Sequence, residues 1–149
     1  MLKGIDPLLG PDLLHALRSA GHGDVVVVAD ANFPAESMAG PTPLGTALRL
    51  DGVDAPRAVR AVLSVLPLDD SDRAAARMQV GTDPGALRPI HSEVQAEVDA
   101  AEGRPRPLVA VERFAFYDLA RSAYAVVATG DRRHYGCFAF TVGVLPEAG

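Results

Sequence analysis

The chain has 149 residues, of which 48% are hydrophobic and 22% charged, and this suits one domain with one core. A net charge of -5 without a basic tract argues against a nucleic-acid partner and gives no attraction to an anionic membrane surface. The single cysteine excludes an internal disulfide, and the N-terminus lacks a secretory signal pattern, so we expect one cytoplasmic domain over residues 1–149.

Hydrophobic periodicity predicts helices and strands that largely alternate along the chain. The predicted helices cover residues 11–20, 55–66, 89–102 and 114–122. The predicted strands cover residues 25–29, 46–50, 74–80, 108–111, 124–129 and 137–142. Residues 33–45, which are rich in proline and glycine, are predicted to form a loop.

This alternation favours a three-layer α/β/α domain with a mixed, mostly parallel sheet that helices cover on both faces. The run 25–29 is apolar at every position, which is typical of a strand buried on both faces. Residues 130–135 are polar and of hairpin length, so the last two strands are expected to form an antiparallel hairpin at the C-terminal end.

The segment Gly21-His22-Gly23-Asp24 is the first candidate for chemistry. Its glycines follow a helix and precede a strand, which is the reverse of a dinucleotide-binding turn, so a phosphate site is excluded. Small neighbours leave the imidazole of His22 uncovered, and Asp24 could bond one ring nitrogen and set its tautomer. The alternative is a surface histidine beside a helix-ending glycine, with Asp24 capping a turn.

Three further candidates lie at the ends of predicted strands, where open α/β sheets bind their ligands. Asp30 closes the first strand, Arg113 follows another, and residues 135–137 lead into the last. Tyr117 comes four residues after Arg113 and shares its helical face. The alternatives are a loop-capping aspartate, an arginine paired with a neighbouring carboxylate, and a tyrosine that only packs at the rim of the sheet.

The remaining histidines do not indicate a metal site. His15 lies within a predicted helix, and neither His91 nor His134 has a histidine or cysteine at ligand spacing. The serines all lack the Gly-x-Ser-x-Gly context of an activated nucleophile. The sequence therefore predicts chemistry without a metal, a redox cofactor or a covalent intermediate.

Taken together, these segments resemble the RbsD/FucU family of fucose mutarotases and ribose pyranases. The matching segments occur in family order at residues 1–3, 21–24, 30–35, 113–117, 129–130 and 135–136. The resemblance implies that His22 is catalytic, and Asp24 is assigned to the same catalytic pair on its position. It further implies substrate binding by Asp30, Arg113, Tyr135, Gly136 and Cys137, with Tyr117 as a further pocket residue.

The implied activity is that of an isomerase, a mutarotase for a free monosaccharide, and the segment around Arg113 is more similar to the fucose branch of the family. Ring opening needs one proton removed from the anomeric hydroxyl and one delivered to the ring oxygen, which suits a histidine. The family usually has asparagine where this chain has Cys137, and a thiol lacks the paired donor and acceptor of an amide. Two alternatives therefore stay open: a D-ribose pyranase, and a non-catalytic monosaccharide-binding protein.

The spacing of two candidates predicts an assembly. Asp30 follows His22 by eight residues, most of them in a strand that rises ~3.3 Å per residue, so the two side chains lie roughly 20 Å apart. A monosaccharide cannot bridge that distance. We therefore expect a homo-oligomer in which His22 meets Asp30, Arg113 and Tyr135 of a neighbouring subunit, and the ring-like oligomers of the family are compatible with this.

Overall fold

The computed structural model describes residues 1–148, which form one six-stranded sheet and five helices. The strands are β1 (Val25–Ala29), β2 (Leu48–Leu50), β3 (Ala75–Met78), β4 (Val109–Val111), β5 (Ala125–Thr129) and β6 (Phe138–Thr141). The helices are α1 (Pro11–Ser19), α2 (Ala35–Ala39), α3 (Ala55–Leu63), α4 (Pro89–Glu102) and α5 (Arg113–Arg121).

The sheet is mixed and mostly parallel, as the alternation of elements predicts. Its strand order is β2-β5-β1-β6-β3-β4. The pairs β1/β5, β2/β5 and β3/β4 are parallel, whereas β6 runs antiparallel to both of its neighbours, β1 and β3. All strands except β6 therefore point towards the same edge of the sheet.

The predicted hairpin between the last two strands is wrong. β1 lies between β5 and β6 and pairs with both, so the polar connection crosses the end of β1 instead of forming a tight turn. Such a connection has to span only ~10 Å, the distance between alternate strands of a sheet. The physical reason is the composition of β1, since its residues 26–29 are fully buried and need paired strands on both sides.

Two hydrophobic clusters, one on each face of the sheet, complete the three layers. Val26 and Val28 of β1 pack in a cluster with residues of α1, α3 and α4. Val27 and Ala29 face the other way and pack with residues of α2 and α5. Alternate residues of one strand thus enter different layers, and this follows from the period of two along a strand.

The helix boundaries follow local signals where the sequence supplies them. α4 has the predicted bounds, since Pro89 occupies its first turn and Gly103 ends it with φ of 70°. α3 starts after Asp54, whose carboxylate accepts the N–H of Arg57. α2 lies in the segment predicted as a loop, and its five residues are too few to show a helical period.

Arg77 is a buried cation within β3. Its side chain is only 4% exposed, and Nη2 donates to the carbonyl oxygen of Pro84 at 2.8 Å. Nη1 has no hydrogen-bond partner among residues 1–148. Burial lowers the pKa of this guanidinium, and the charge of Asp83 only partly opposes that effect. A buried charge without a paired anion costs stability.

We therefore expect Arg77→Met to raise the free energy of unfolding by about 1–3 kcal/mol, because a buried donor without a partner is replaced by an apolar chain of similar length. Urea denaturation measures this. The matched control is Arg104→Met, since Arg104 is exposed and its contact with Asp70 is long, at 3.8 Å; that change should stay within about 0.5 kcal/mol. A loss of stability in Arg77→Met would show that the bond to Pro84 outweighs the cost of burial.

Candidate functional site

The strand directions bring three of the candidate residues to one edge of the sheet. Asp30 follows the carboxyl end of β1, Arg113 follows that of β4, and Tyr135 precedes β6, which starts at this edge because it is antiparallel. Together they line a cavity of about 270 Å³. Its other lining residues are Asn32, Phe33, Met78, Tyr117, His134 and Cys137. The volume is slightly below the ~300–1,000 Å³ of drug-sized sites, so the cavity suits a smaller ligand.

The carboxylate of Asp30 connects two segments of this edge. Oδ1 accepts the backbone N–H groups of Asn32 and Phe33 at 2.9 and 3.0 Å. Oδ2 accepts the N–H of Gly136 at 2.9 Å and lies 3.5 Å from the sulfur of Cys137. Burial and the charge of Asp30 raise the pKa of the Cys137 thiol far above its usual range, so the thiol stays protonated and can act as the donor.

This arrangement predicts a large effect of Asp30→Asn on stability. Asparagine replaces one acceptor oxygen by an amide donor, which would then oppose a backbone N–H. We expect a loss of about 1–3 kcal/mol in the free energy of unfolding, measured by urea denaturation. Asp118→Asn is the control, because Asp118 is exposed and pairs only with Arg121 of the same helix. An equal effect of both substitutions would contradict the connecting role of Asp30.

Arg113 and Tyr117 form one unit at the start of α5. Arg113 Nε donates to the hydroxyl oxygen of Tyr117 at 3.1 Å, and the guanidinium lies 5.5 Å from the centre of the tyrosine ring. Neighbouring carboxylates are engaged elsewhere: Glu112 accepts the first N–H groups of α5, and Asp118 pairs with Arg121. Within residues 1–148, the terminal nitrogens of Arg113 thus remain available to a ligand.

His22 lies at the opposite edge of the sheet, in the turn before β1. Its side chain is 63% exposed, and Nε2 lies 3.0 Å from Oδ1 of Asp69. The hydrogen bond with His22 is the main cause of the lowered pKa of Asp69. Asp24 instead accepts the N–H of Gly21 at 2.8 Å and so caps the turn. The structure therefore pairs the imidazole with Asp69 and does not bring His22 into the cavity of Asp30.

Two titratable residues of the candidate site, Asp69 and His134, were missed by sequence reasoning, as were the cavity residues Asn32, Phe33 and Met78. Asp69 lies 47 positions from His22 and reaches it because its own N–H bonds the carbonyl of Thr141, at the end of β6. No local sequence pattern predicts the contact between His22 and Asp69. His134 lines the cavity beside Tyr135, whereas in the sequence its only noted feature is the lack of a histidine or cysteine at metal-ligand spacing. Its position next to a candidate residue was the available signal.

Residues 1–148 contain no candidate for a metal site or for a membrane-spanning helix. There is no group of three or more His, Cys, Asp or Glu residues that could hold a metal ion. Likewise, none of the described helices combines the length and the apolar character needed to cross a membrane.

Fold and candidate site together define a class: a three-layer α/β/α protein with a small cavity at the carboxyl edge of its sheet, lined by a carboxylate, a guanidinium and two phenols. Residues 3–145 match the model of the RbsD / FucU transport protein family. The chain belongs to this family.

Known relatives match almost the whole chain. The fucose mutarotase of Danio rerio is 43% identical over 98% of this chain and 95% of its own length. The crystal structure of the fucose mutarotase of Streptococcus pneumoniae in complex with L-fucose is 33% identical, with a TM-score of 0.85, and the match covers 97% of this chain and 100% of that one. A solved structure of a candidate sugar-binding protein is 52% identical with a TM-score of 0.95, covering 98% and 97%. These matches confirm the predicted fold class.

Proposed function

We propose that the chain is a sugar mutarotase, an isomerase that interconverts the anomers or ring forms of a free monosaccharide related to L-fucose in the cytoplasm. The observation that carries this proposal is the cavity shared by Asp30, Arg113 and Tyr135, in a chain similar over its full length to fucose mutarotases. The reaction moves protons and breaks and reforms one C–O bond within the sugar. It therefore needs acid–base groups and a grip on hydroxyls, and no oxidant or reductant.

The lining of the cavity suits a deoxy sugar. The terminal nitrogens of Arg113 and the hydroxyl of Tyr117 offer hydrogen bonds to sugar hydroxyls. Phe33 and Met78 add apolar surface to the same cavity, and this matches the C6 methyl group that distinguishes fucose from a hexose with a free 6-hydroxyl. The thiol of Cys137 donates towards Asp30 and so offers a weaker hydroxyl partner than an amide would.

His22 supplies the proton transfers in this proposal. Its ring is exposed, and Asp69 bonds Nε2, which fixes one nitrogen and leaves Nδ1 for exchange with a ligand. Asp24 contributes by capping the turn that presents the imidazole. The neutral histidine takes the proton of the anomeric hydroxyl as the bond between C1 and the ring oxygen breaks, and the imidazolium so formed gives that proton to the ring oxygen, which leaves the open-chain aldehyde. The reverse transfers close the ring on the other face of C1 and return the histidine to its neutral form. Positioned acid–base groups of this kind contribute ~10²–10⁴-fold.

His22 serves the cavity of a neighbouring subunit. Within one chain it lies at the end of β1 opposite to Asp30, and the length of the strand separates them by roughly 20 Å. A homo-oligomer whose sites combine His22 of one copy with Asp30 and Arg113 of another removes this separation.

His22→Ala should abolish catalysed exchange between anomers while the fold persists, since an exposed ring in a turn contributes little packing. Saturation transfer between the anomeric protons of L-fucose, D-ribose and D-galactose measures the rates and identifies the sugar. His15→Ala is the matched control, because His15 is an exposed histidine on α1. Full activity of His22→Ala, with loss of activity in His134→Ala, would instead assign the proton transfers to the histidine that lines its own cavity.

Mixing two inactive variants tests the shared site. His22→Ala and Arg113→Ala should each be inactive alone, but co-refolded together they should regain roughly a quarter of the wild-type rate, because random pairing gives that share of sites both residues. A site contained within one subunit predicts no recovery. Size-exclusion chromatography of the mixture verifies that assembly has taken place.

A non-catalytic sugar-binding protein is the second candidate, and the buried thiol at Cys137 favours it. Wild-type protein that binds L-fucose in calorimetry, but leaves the exchange rate of its anomeric protons unchanged, would establish this alternative. A faster exchange between pyranose and furanose forms of D-ribose than between anomers of fucose would establish the ribose pyranase.

A further inference from the structure

Tyr135, a wall of the ligand cavity, has an unusual backbone. Its φ is 62°, and among residues 1–148 no other residue except glycines has a positive φ. This left-handed conformation costs free energy for a residue with a side chain, and it persists only where surrounding contacts impose it. The contacts that hold Tyr135 therefore determine where its ring stands in the cavity.

The peptide group that follows Tyr135 is bonded at both of its polar atoms. Its N–H, which belongs to Gly136, donates to Oδ2 of Asp30 at 2.9 Å. Its carbonyl oxygen, which belongs to Tyr135, lies 2.9 Å from Nε2 of His91. The C=O and N–H of a trans peptide point in opposite directions, so Asp30 and His91 form hydrogen bonds with the same peptide group from opposite sides.

The hydrogen bonds of His91 identify its tautomer. The backbone N–H of Arg88 donates to Nδ1 at 3.0 Å, so the ring proton sits on Nε2 and is donated to the carbonyl of Tyr135. Burial lowers the pKa of this imidazole, and the positive charges of Arg77 and Arg88 lower it further, while the bond to Tyr135 acts in the opposite direction. The neutral ring that this geometry requires is thus the favoured form near neutral pH.

Two more contacts join the first turn of α4 to the same segment. The guanidinium of Arg88 lies 5.3 Å from the centre of the Tyr135 ring. A Cβ at Gly136 would come within 2.7 Å of Cδ1 of Ile90, so the turn packs tightly against this helix. His91 itself packs edge-on against Phe138, in the cluster of α1, α3 and α4, and does not line the cavity.

We propose that His91 is a positioning residue for the sugar site, which acts through the backbone of Tyr135 from the opposite face of the sheet. The imidazole fixes the peptide plane after Tyr135, and this plane sets the direction of the tyrosine ring over the bound sugar. The inference rests on the proposed function for its kinetic consequence. Its structural part concerns only the peptide of Tyr135 and Gly136 and can be measured separately.

The test compares three variants. His91→Phe keeps a ring but removes both hydrogen bonds, whereas His91→Gln keeps a donor and an acceptor on one side chain. Val98→Ala is the matched control, since Val98 is buried in the same helix and lies far along it from Tyr135. The readouts are KM and kcat for anomeric exchange, the Tm, and hydrogen exchange of the Gly136 amide by NMR.

We expect His91→Phe to raise KM about tenfold with kcat changed less than about twofold, and to accelerate exchange of the Gly136 amide. His91→Gln should restore both values to within about threefold of wild type. Val98→Ala should lower the Tm but leave KM and the Gly136 amide unchanged. An unchanged KM in folded His91→Phe, or the same rise in KM in Val98→Ala, would overturn the proposal.

If His91→Phe does not fold, Arg88→Ala continues the test, because Arg88 is exposed and its backbone donor is retained. Loss of its contact with the Tyr135 ring should raise KM about threefold. An unchanged KM would count against a role of the segment 88–91 in positioning Tyr135.

If the wild type shows no exchange activity, the proposed function fails. The amide of Gly136 then decides the structural part alone, and unchanged exchange of this amide in folded His91→Phe would contradict it.

Discussion

The hydrogen bonds of the buried carboxylate of Asp30 are the interaction on which the candidate cavity depends. This carboxylate accepts N–H groups from the segment after β1 and from the turn before β6, two parts of the chain that are 106 positions apart. An ionised carboxylate accepts on both oxygens and donates on neither, so it satisfies several converging N–H groups at once. The ring of Phe33 and the ring of Tyr135 take their places in the cavity because these backbones are held together.

The direction of β6 is the second constraint on the site. An antiparallel strand between β1 and β3 begins at the edge where its neighbours end, and this brings Tyr135 and Cys137 to the cavity. The same strand finishes beside the turn of His22, since the carbonyl of Val142 accepts the N–H of Gly23. One strand therefore links the cavity at one edge of the sheet to the imidazole at the other.

Sequence patterns predicted what is decided locally. The bounds of α4 follow from a proline and a glycine, and the fold class follows from the alternation of elements. Asp30 and Arg113 were predicted to share one edge because strand ends are visible in a sequence and carboxyl ends of parallel strands meet at one edge. Tyr135 lies at the same edge because β6 runs antiparallel to β1 and β3, and not through the predicted hairpin. The order of the strands was not predictable in this way, because periodicity carries no information on which strands pair. The contact of His22 with Asp69 depends on that order and was missed for the same reason.

Contacts of neighbouring groups bear on the alternative interpretations of Asp24 and Arg113. Asp24 caps a turn, as the alternative interpretation held, whereas Arg113 does not pair with the carboxylates beside it, because one of them caps α5. A carboxylate can accept backbone N–H groups at the start of a helix or pair with a neighbouring arginine, and the sequence does not show which of the two it does. The positions of the backbone N–H groups and of the guanidinium in the fold decide between these roles.

The separation of His22 from the cavity has a consequence for the geometry of any assembly that shares its sites. In such an assembly, one edge of each subunit contributes its His22 to a neighbouring cavity, and the cavity at the other edge receives His22 from a neighbour. An open row of such subunits would always end in one cavity without its histidine and one histidine without a cavity. A reciprocal pair or a closed ring leaves neither, so closure of the assembly would itself be the condition for every cavity to be complete.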